Sequence, residues 1–223
     1  MRHAITRLQS RSMKTPRRSA PGSVRIIGGR WRGTRLAVAD HPGFRPTPDR
    51  VRETLFNWLQ PVLSGARVLD LFAGSGALGL ESLSRGAAHA TLVENDNVLA
   101  SALRDVAGRL EGGSAADVIQ ADALGWLATQ QPTPFDVAFV DPPFAAGLWD
   151  RALALLLPML RDGAWLYLES PAEVLPALPP HWVLHREGRT REVRFALYVQ
   201  RPRAIAGADT LAAATGNDSE PHR

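Results

Sequence analysis

From residue 67 onward, short apolar runs of strand length alternate with longer amphipathic stretches, and this alternation narrows the folds open to the chain more than any other feature. The strand-like runs fall at residues 67–72, 90–94, 117–121, 135–141 and 164–169, and the helix-like stretches at 77–85, 97–110, 123–129 and 148–160. Strands that alternate with helices return parallel to one another through helical crossovers. The pattern therefore predicts an α/β fold, a mostly parallel sheet covered on both faces. After Glu169 the chain turns proline-rich, and 182–187 and 193–200 read as two strands joined by Gly188-Arg189-Thr190-Arg191, a terminal antiparallel pair. No internal repeat is visible.

At 223 residues and 45% hydrophobic composition, the chain can bury one sizeable core and has little room for a second. The longest apolar stretch, 152–160, is interrupted by Pro158 and bounded by Arg151 and Arg161, far short of the roughly 20 residues that a membrane span needs. With no cysteine, a disulfide framework, a thiolate nucleophile and a cysteine zinc cluster are excluded; a reducing compartment suits this, and cytoplasm is the expectation. The formal net charge is only +4, yet from Arg2 to Arg35 arginines are frequent and no Asp or Glu occurs. GC-rich coding also favours arginine over lysine, so the position of the charge is more telling than its kind. A basic, acid-free front is the footprint of a surface that meets phosphates.

Residues 1–23 lack sustained apolar periodicity and are expected to form a disordered basic arm. An Arg- and Ser-rich leader also resembles a mitochondrial transit peptide, but Pro16 and Pro21 disfavour the helix such a peptide needs, and the apolar core of a secretory signal is missing. Residues 204–223 are small and polar, and a flexible tail is expected there. Residues 24–64 read as an extension ahead of a main domain at 65–203. Within it, 24–27 and 34–38 form a hairpin around Gly28-Gly29-Arg30-Trp31-Arg32-Gly33, tipped with arginines that could meet RNA. A helix follows over 48–63, its stripe of Val51, Leu55, Trp58, Leu59 and Val62 facing the core.

Two motifs carry chemistry. The first runs from Val68 to Gly79, a buried strand leading into Gly74-Ser75-Gly76 and then a helix, which brings a ligand close to backbone N–H groups. A Gly-x-Gly-x-x-Gly pattern alone also fits a dinucleotide. Asp70 discriminates, because a carboxylate at the strand end repels a pyrophosphate and attracts a ligand carrying an ammonium and a sulfonium, which favours S-adenosylmethionine over NAD. Glu94 ends the next strand, where an acidic side chain can take both hydroxyls of a ribose. Asp122 could receive the adenine amino group or cap the helix that begins at Ala123, and the two roles are compatible.

The second motif, Asp141-Pro142-Pro143-Phe144, follows the apolar run 135–140 and so falls at the carboxyl end of the fourth strand. Asp and Pro terminate strands routinely, and a plain turn is the bland reading. A chemical reading accounts for each part. An aromatic exocyclic amine is a poor nucleophile because its lone pair is delocalised. N–H donation to the Asp141 carboxylate and to the Pro142 carbonyl localises that pair and stabilises the positive charge that grows as a methyl arrives. Two prolines hold both acceptors stiffly, and Phe144 offers a stacking platform for a base turned out of its helix.

With these residues in place, the stretch 25–200 resembles the bacterial ribosomal RNA small-subunit guanine-N2 methyltransferases of the RsmD type. The likeness is carried by Arg25-Ile26-Ile27-Gly28-Gly29-Arg30-Trp31-Arg32-Gly33, by the segment from Arg45-Pro46-Thr47-Pro48-Asp49-Arg50 to Leu59, by the Asp70 loop and by Asp141 to Phe144. The resemblance implies a class I (Rossmann-like) S-adenosylmethionine methyltransferase fold with seven strands. It also implies transfer of one methyl to the N2 of a single guanine, usually position 966, in 16S rRNA of an assembling 30S subunit; separately from the resemblance, a monomer with no resident metal is expected. Asp141, Pro142 and Phe144 would be catalytic. Arg45, Thr47, Asp70, Phe72, Gly74, Gly76, Glu94, Asp122 and Ala123 would hold the cofactor, with Arg45 to Thr47 covering it. Arg25, Arg30, Arg32, Arg35, Arg189 and Arg191 would hold RNA. A solvated helix face is the plainer reading of Arg45, Arg50, Arg52 and Glu53. The last hairpin carries arginine at Arg189, Arg191 and Arg194 where lysines are expected in many relatives, which changes phosphate geometry though not charge. Other functions compatible with the motifs are amino methylation of DNA, another RNA, a free base or a protein glutamine, and a catalytically silent assembly factor that keeps the cofactor pocket.

Overall fold

The computed structural model describes residues 23–37, 47–131 and 134–201. The expected arm and tail, Arg45 and the end of the second hairpin strand at Val38 lie outside the described residues. Elements follow in the order β1 (Ser23–Arg25), β2 (Arg35–Ala37), α1 (Asp49–Leu63), β3 (Arg67–Asp70), α2 (Ala77–Ser84), β4 (His89–Glu94), α3 (Asn97–Arg109), β5 (Ala116–Gln120), α4 (Ala123–Thr129), β6 (Phe135–Val140), α5 (Trp149–Leu156), β7 (Leu160–Pro171), β8 (Trp182–Arg189) and β9 (Val193–Gln200).

β3 to β9 form one seven-stranded sheet in the order β5-β4-β3-β6-β7-β9-β8. β3 to β7 are mutually parallel, and β9 lies antiparallel between β7 and β8. The chain works outward from β3 through β4 to β5, then returns to place β6 on the other side of β3. That reversal opens a crevice at the carboxyl ends of β3 and β6, the place where open α/β sheets bind ligands. Asp70 and Asp141 stand at its two lips.

Alternation along the central strands feeds two cores. Val68, Val137, Phe139 and Tyr167 face one, with α1, α2 and the β1–β2 hairpin. Leu69, Val140, Leu166 and Leu168 face the other, with α4 and α5. The helix expected at 148–160 stops at Leu156, because Pro158 cannot continue the ladder; a single 3₁₀ turn follows and β7 begins at Leu160.

The hairpin is mounted on α2 by polar groups that periodicity does not reveal. Glu81 is fully buried; its Oε2 accepts the Ile27 N–H at 2.6 Å, and its Oε1 accepts the Gly28 N–H at 2.8 Å and Arg85 Nε at 2.6 Å. Ser84 Oγ donates to the Gly28 carbonyl at 2.6 Å and accepts the Trp31 N–H at 2.9 Å, while its carbonyl accepts the Arg30 N–H at 2.9 Å. Gly29 has φ 72°, and a Cβ there would stand 1.9 Å from the Ser84 carbonyl oxygen, so only glycine lets the hairpin backbone lie on the helix end.

Arg52, for which a solvated helix face is the plainer alternative from sequence, is fully buried. Its guanidinium donates to the carbonyls of Arg25 (3.0 Å) and Thr47 (3.3 Å) and pairs with Asp49 at 2.6 Å. One buried cation thus ties β1, α1 and the segment before α1 into a unit.

Candidate active site

β3 delivers Asp70 to the crevice, and Gly74 and Gly76, both with positive φ (53° and 73°), turn the chain into α2. Asp70 is almost wholly buried, and its Oδ2 accepts the N–H of Gly79 in the first turn of α2 at 2.9 Å, anchoring the loop to the strand. At Gly79 a Cβ would come within 2.8 Å of Leu92, which explains glycine where helix and sheet close on each other.

Glu94, at the end of β4, accepts the Gly74 N–H and the Asp96 N–H, each at 2.7 Å. It therefore clamps the glycine loop to the start of α3. A carboxylate has about four acceptor directions, so these two bonds leave room for two hydroxyl donors. Asp122 is exposed and caps α4, accepting the Gly125 N–H at 2.8 Å, one of the two roles its sequence position suggests; Ala123 is the buried first residue of that helix. Phe72 is half-buried two residues after the end of β3.

β6 delivers the second motif. Asp141 is partly buried, Pro142 is buried, and Phe144 remains 37% exposed. The Phe144 ring leans on Trp149, centroids 5.7 Å apart at 48°, and Trp149 Nε1 donates to the Glu169 carbonyl at 2.8 Å. Glu169, at the neighbouring end of β7, accepts the hydroxyls of Thr47 and Tyr167 at 2.8 Å each. Thr47 thus sits beside the tetrapeptide through Glu169. Sequence reasoning missed Glu169, Tyr167 and Trp149. The available signal was an acidic residue ending an apolar strand, as at Glu94.

Three carboxyl groups converge here, and burial dominates the proton affinity of each. Burial, opposed by the Gly79 N–H and reinforced by the charge of Glu94, pushes Asp70 up to about 7. Burial, then the charges of Glu169 and Asp70, hold Asp141 well above the usual carboxylate range. Burial raises Glu169 also, against the two hydroxyl donors. Uncompensated negative charge in a half-closed crevice is a place that favours a cation.

A carboxyl that binds its proton more tightly in the folded than in the unfolded chain makes stability fall as pH rises through that window. For Asp70 the window runs from 3.8 to about 7, and Asp141 and Glu169 act in the same direction. Over this range Asp70 alone is expected to cost the ligand-free protein on the order of 4 kcal/mol, at about 1.4 kcal/mol per pKa unit. Calorimetry at fixed ionic strength should show its Tm falling by roughly 10 °C between acidic and neutral pH. Asp70→Asn should flatten the slope; a Tm independent of pH would contradict it.

The arginines divide into two groups. Pro171 pairs with Val193 in the β7–β9 register, so the exposed Arg189 and Arg191 of the β8–β9 turn lie at the carboxyl edge of the sheet, beside the crevice. Arg194 is buried, pairs with Glu187 at 2.6 Å and donates to the Tyr198 hydroxyl at 3.1 Å, so it is structural. Arg25 (Nε to Asp49, 3.1 Å) and Arg35 face each other as the β1–β2 ladder pair nearest the connecting loop. Arg30, stacked 4.6 Å over Trp31, and Arg32 belong to its tip, which packs on Ser84 and on the Glu111 carbonyl where α2 and α3 end. The tip therefore sits at the sheet edge opposite the crevice. No helix among the described residues is long and apolar enough to cross a membrane.

Sheet order, glycine loop and tetrapeptide together define the class I methyltransferase fold. An RNA methyltransferase from Salinibacter ruber, solved in complex with S-adenosyl-L-homocysteine, shares that fold at 14% identity (TM-score 0.55, 74% of this chain and 99% of that one). More similar is a structure titled putative methyltransferase yhhF from Escherichia coli, 47% identical with TM-score 0.74, covering 81% of this chain and 99% of that one. The family model described as "Conserved hypothetical protein 95" matches residues 24–199. Ribosomal RNA small subunit methyltransferase D of Escherichia coli (strain K12) is 49% identical over 200 residues, 88% of this chain and 100% of that protein. Its counterpart in Haemophilus influenzae is 42% identical over 192 residues, 84% of this chain and 98% of that protein. The chain belongs to this family, that of the ribosomal RNA small subunit methyltransferases D.

Proposed function

We propose that the protein transfers a methyl group from S-adenosylmethionine to the exocyclic N2 of one guanine in 16S rRNA, the guanine at position 966 in the family resemblance, acting as a monomer in the cytoplasm on the assembling 30S subunit. The observation that carries the reading is the Asp141-Pro142-Pro143-Phe144 turn at the topological switch point, facing the Asp70 loop across the crevice. Relatives named for small-subunit rRNA methylation support the RNA class.

The residues fit the cofactor on their own chemistry. The raised proton affinities of Asp70 and Asp141 mark negative charge that a sulfonium and an ammonium would relieve, and Glu94 keeps acceptor directions for a ribose diol. When bound, S-adenosylmethionine supplies an electrophilic methyl on a positively charged sulfur. Asp141 and the Pro142 carbonyl accept the two N–H groups of the target amine and aim its lone pair along the transfer line. As the N–C bond forms and the C–S bond breaks, Asp141 stabilises the charge on nitrogen and takes the surplus proton, which then passes to water. Phe144, propped by Trp149, stacks on the extruded base.

Arg189 and Arg191 would grip phosphates next to the target. Replacing both by alanine should flatten the slope of log affinity against log salt by about 0.7–0.9 for each phosphate no longer neutralised. A filter-binding salt titration reads this, and an unchanged slope would remove them from the interface. The function itself is tested by labelled methyl transfer to naked 16S rRNA, to 30S particles from a methylation-deficient strain and to duplex DNA. Transfer to the RNA substrates alone is expected; transfer to DNA alone would overturn the reading.

A further inference from the structure

Glu169 is 5% exposed and is held from three directions. Its Oε1 accepts the Tyr167 hydroxyl at 2.8 Å, two residues back on the same face of β7, and the Tyr167 ring is locked edge-on against Phe139 in the core, centroids 6.0 Å apart. The same oxygen accepts the Thr47 hydroxyl at 2.8 Å, from the segment that leads into α1. The backbone carbonyl of Glu169 accepts Trp149 Nε1 at 2.8 Å, and Trp149 is the ring on which Phe144 leans. One residue, fixed to the core by Tyr167, therefore meets both walls of the crevice, and Arg52 ties Thr47 to the hairpin from the other side.

We infer that Glu169 is a positioning residue that couples the two halves of the site, fixing the Thr47 segment through its side chain and the Phe144 platform through Trp149 and its carbonyl. The inference rests on the methyl-transfer reading above, since it assigns the Thr47 side to the methyl donor and the Phe144 side to the base. A buried carboxylate beside Asp141 is held in place by its hydroxyl donors rather than by a cation among the described residues, so removing a donor releases the segment that carries it.

Steady-state kinetics separates this role from a merely structural one. Thr47→Val removes the hydroxyl at nearly constant shape and should raise the donor KM about tenfold, one hydrogen bond's worth, with kcat within about threefold. Thr47→Ser keeps the hydroxyl and should restore the donor KM. Trp149→Phe keeps a ring but loses the N–H, and should lower kcat on RNA by about tenfold while leaving the donor KM unchanged. Glu169→Ala should raise the donor KM and, in that background, Thr47→Val should add nothing further. If Glu169→Ala does not fold, the Thr47 and Trp149 variants decide alone. Calorimetric binding of S-adenosylhomocysteine distinguishes the two levels. Failure of the unmodified protein to bind it would sink the proposed function, whereas normal binding and turnover with Thr47→Val indistinguishable from the unmodified protein would sink only the coupling role of Glu169.

Discussion

Asp141→Ala is expected to leave the protein folded and able to bind the methyl donor while lowering methyl transfer by at least about 10²–10³-fold, the range seen when a preorganised transition-state partner is removed. The carboxylate is asked to do two things in one place: accept an N–H so that the lone pair is free, and balance the positive charge that appears on nitrogen. Alanine does neither. Asp141→Asn keeps the shape and one acceptor but loses the charge and the proton sink, and should recover only a small part of the loss. Both substitutions also remove a carboxyl that burial and the charges of Glu169 and Asp70 make unfavourable when ionised, so the ligand-free variants should melt no lower than the parent at neutral pH. Unfolding of the Asn variant, or turnover at the parent's rate, would contradict that assignment.

Glu81→Ala is expected to have the largest effect on stability, although Glu81 lies far from the chemistry. The substitution leaves the partly buried Ile27 and Gly28 N–H groups and the partly buried Arg85 guanidinium without their acceptor, the fully buried Glu81 carboxylate. Unsatisfied buried donors cost about 1–3 kcal/mol each, and a broken buried ion pair about 3–5 kcal/mol. These losses overlap, and a destabilisation of roughly 3–5 kcal/mol is expected, a fall in Tm of about 10 °C or more for a chain of this length. Release of the hairpin from Ser84 should accompany it, seen as loss of amide-exchange protection at Trp31, whose N–H bonds to Ser84 Oγ. Glu81→Gln keeps one acceptor oxygen and should lie between the two. An alanine variant as stable as the parent would show that the mount is not what holds the hairpin.

The readable part of this molecule is the part where chain periodicity and strand polarity decide position. Asp70, Glu94 and Asp141 each end an apolar run, and a parallel sheet puts such ends on one edge, so their convergence follows from order alone. Asp122 is legible as a cap for the same local reason. The unread residues act through contacts distant in sequence. Glu81 sits in a helix buried by the sheet on one side and the hairpin on the other, so its polar position in the pattern points into protein rather than water. Arg52 has helical spacing suited to solvent, yet β1 closes over it. Glu169 draws its meaning from Thr47, 122 residues away in sequence. The arginines of the hairpin tip suggest RNA from sequence alone, whereas packing on the ends of α2 and α3 places Arg30 and Arg32 at the sheet edge opposite the crevice.

The central claim is an acceptor atom, so the decisive measurement is the chemical identity of the product. 16S rRNA from 30S particles lacking the modification would be methylated by the purified protein, digested to nucleosides and resolved by mass spectrometry, with fragment mapping of the site. A single N2-methylguanosine at one position, absent with Asp141→Ala, is the predicted result. Methyl on an adenine or cytosine amino group, on a ring carbon or on ribose would contradict it.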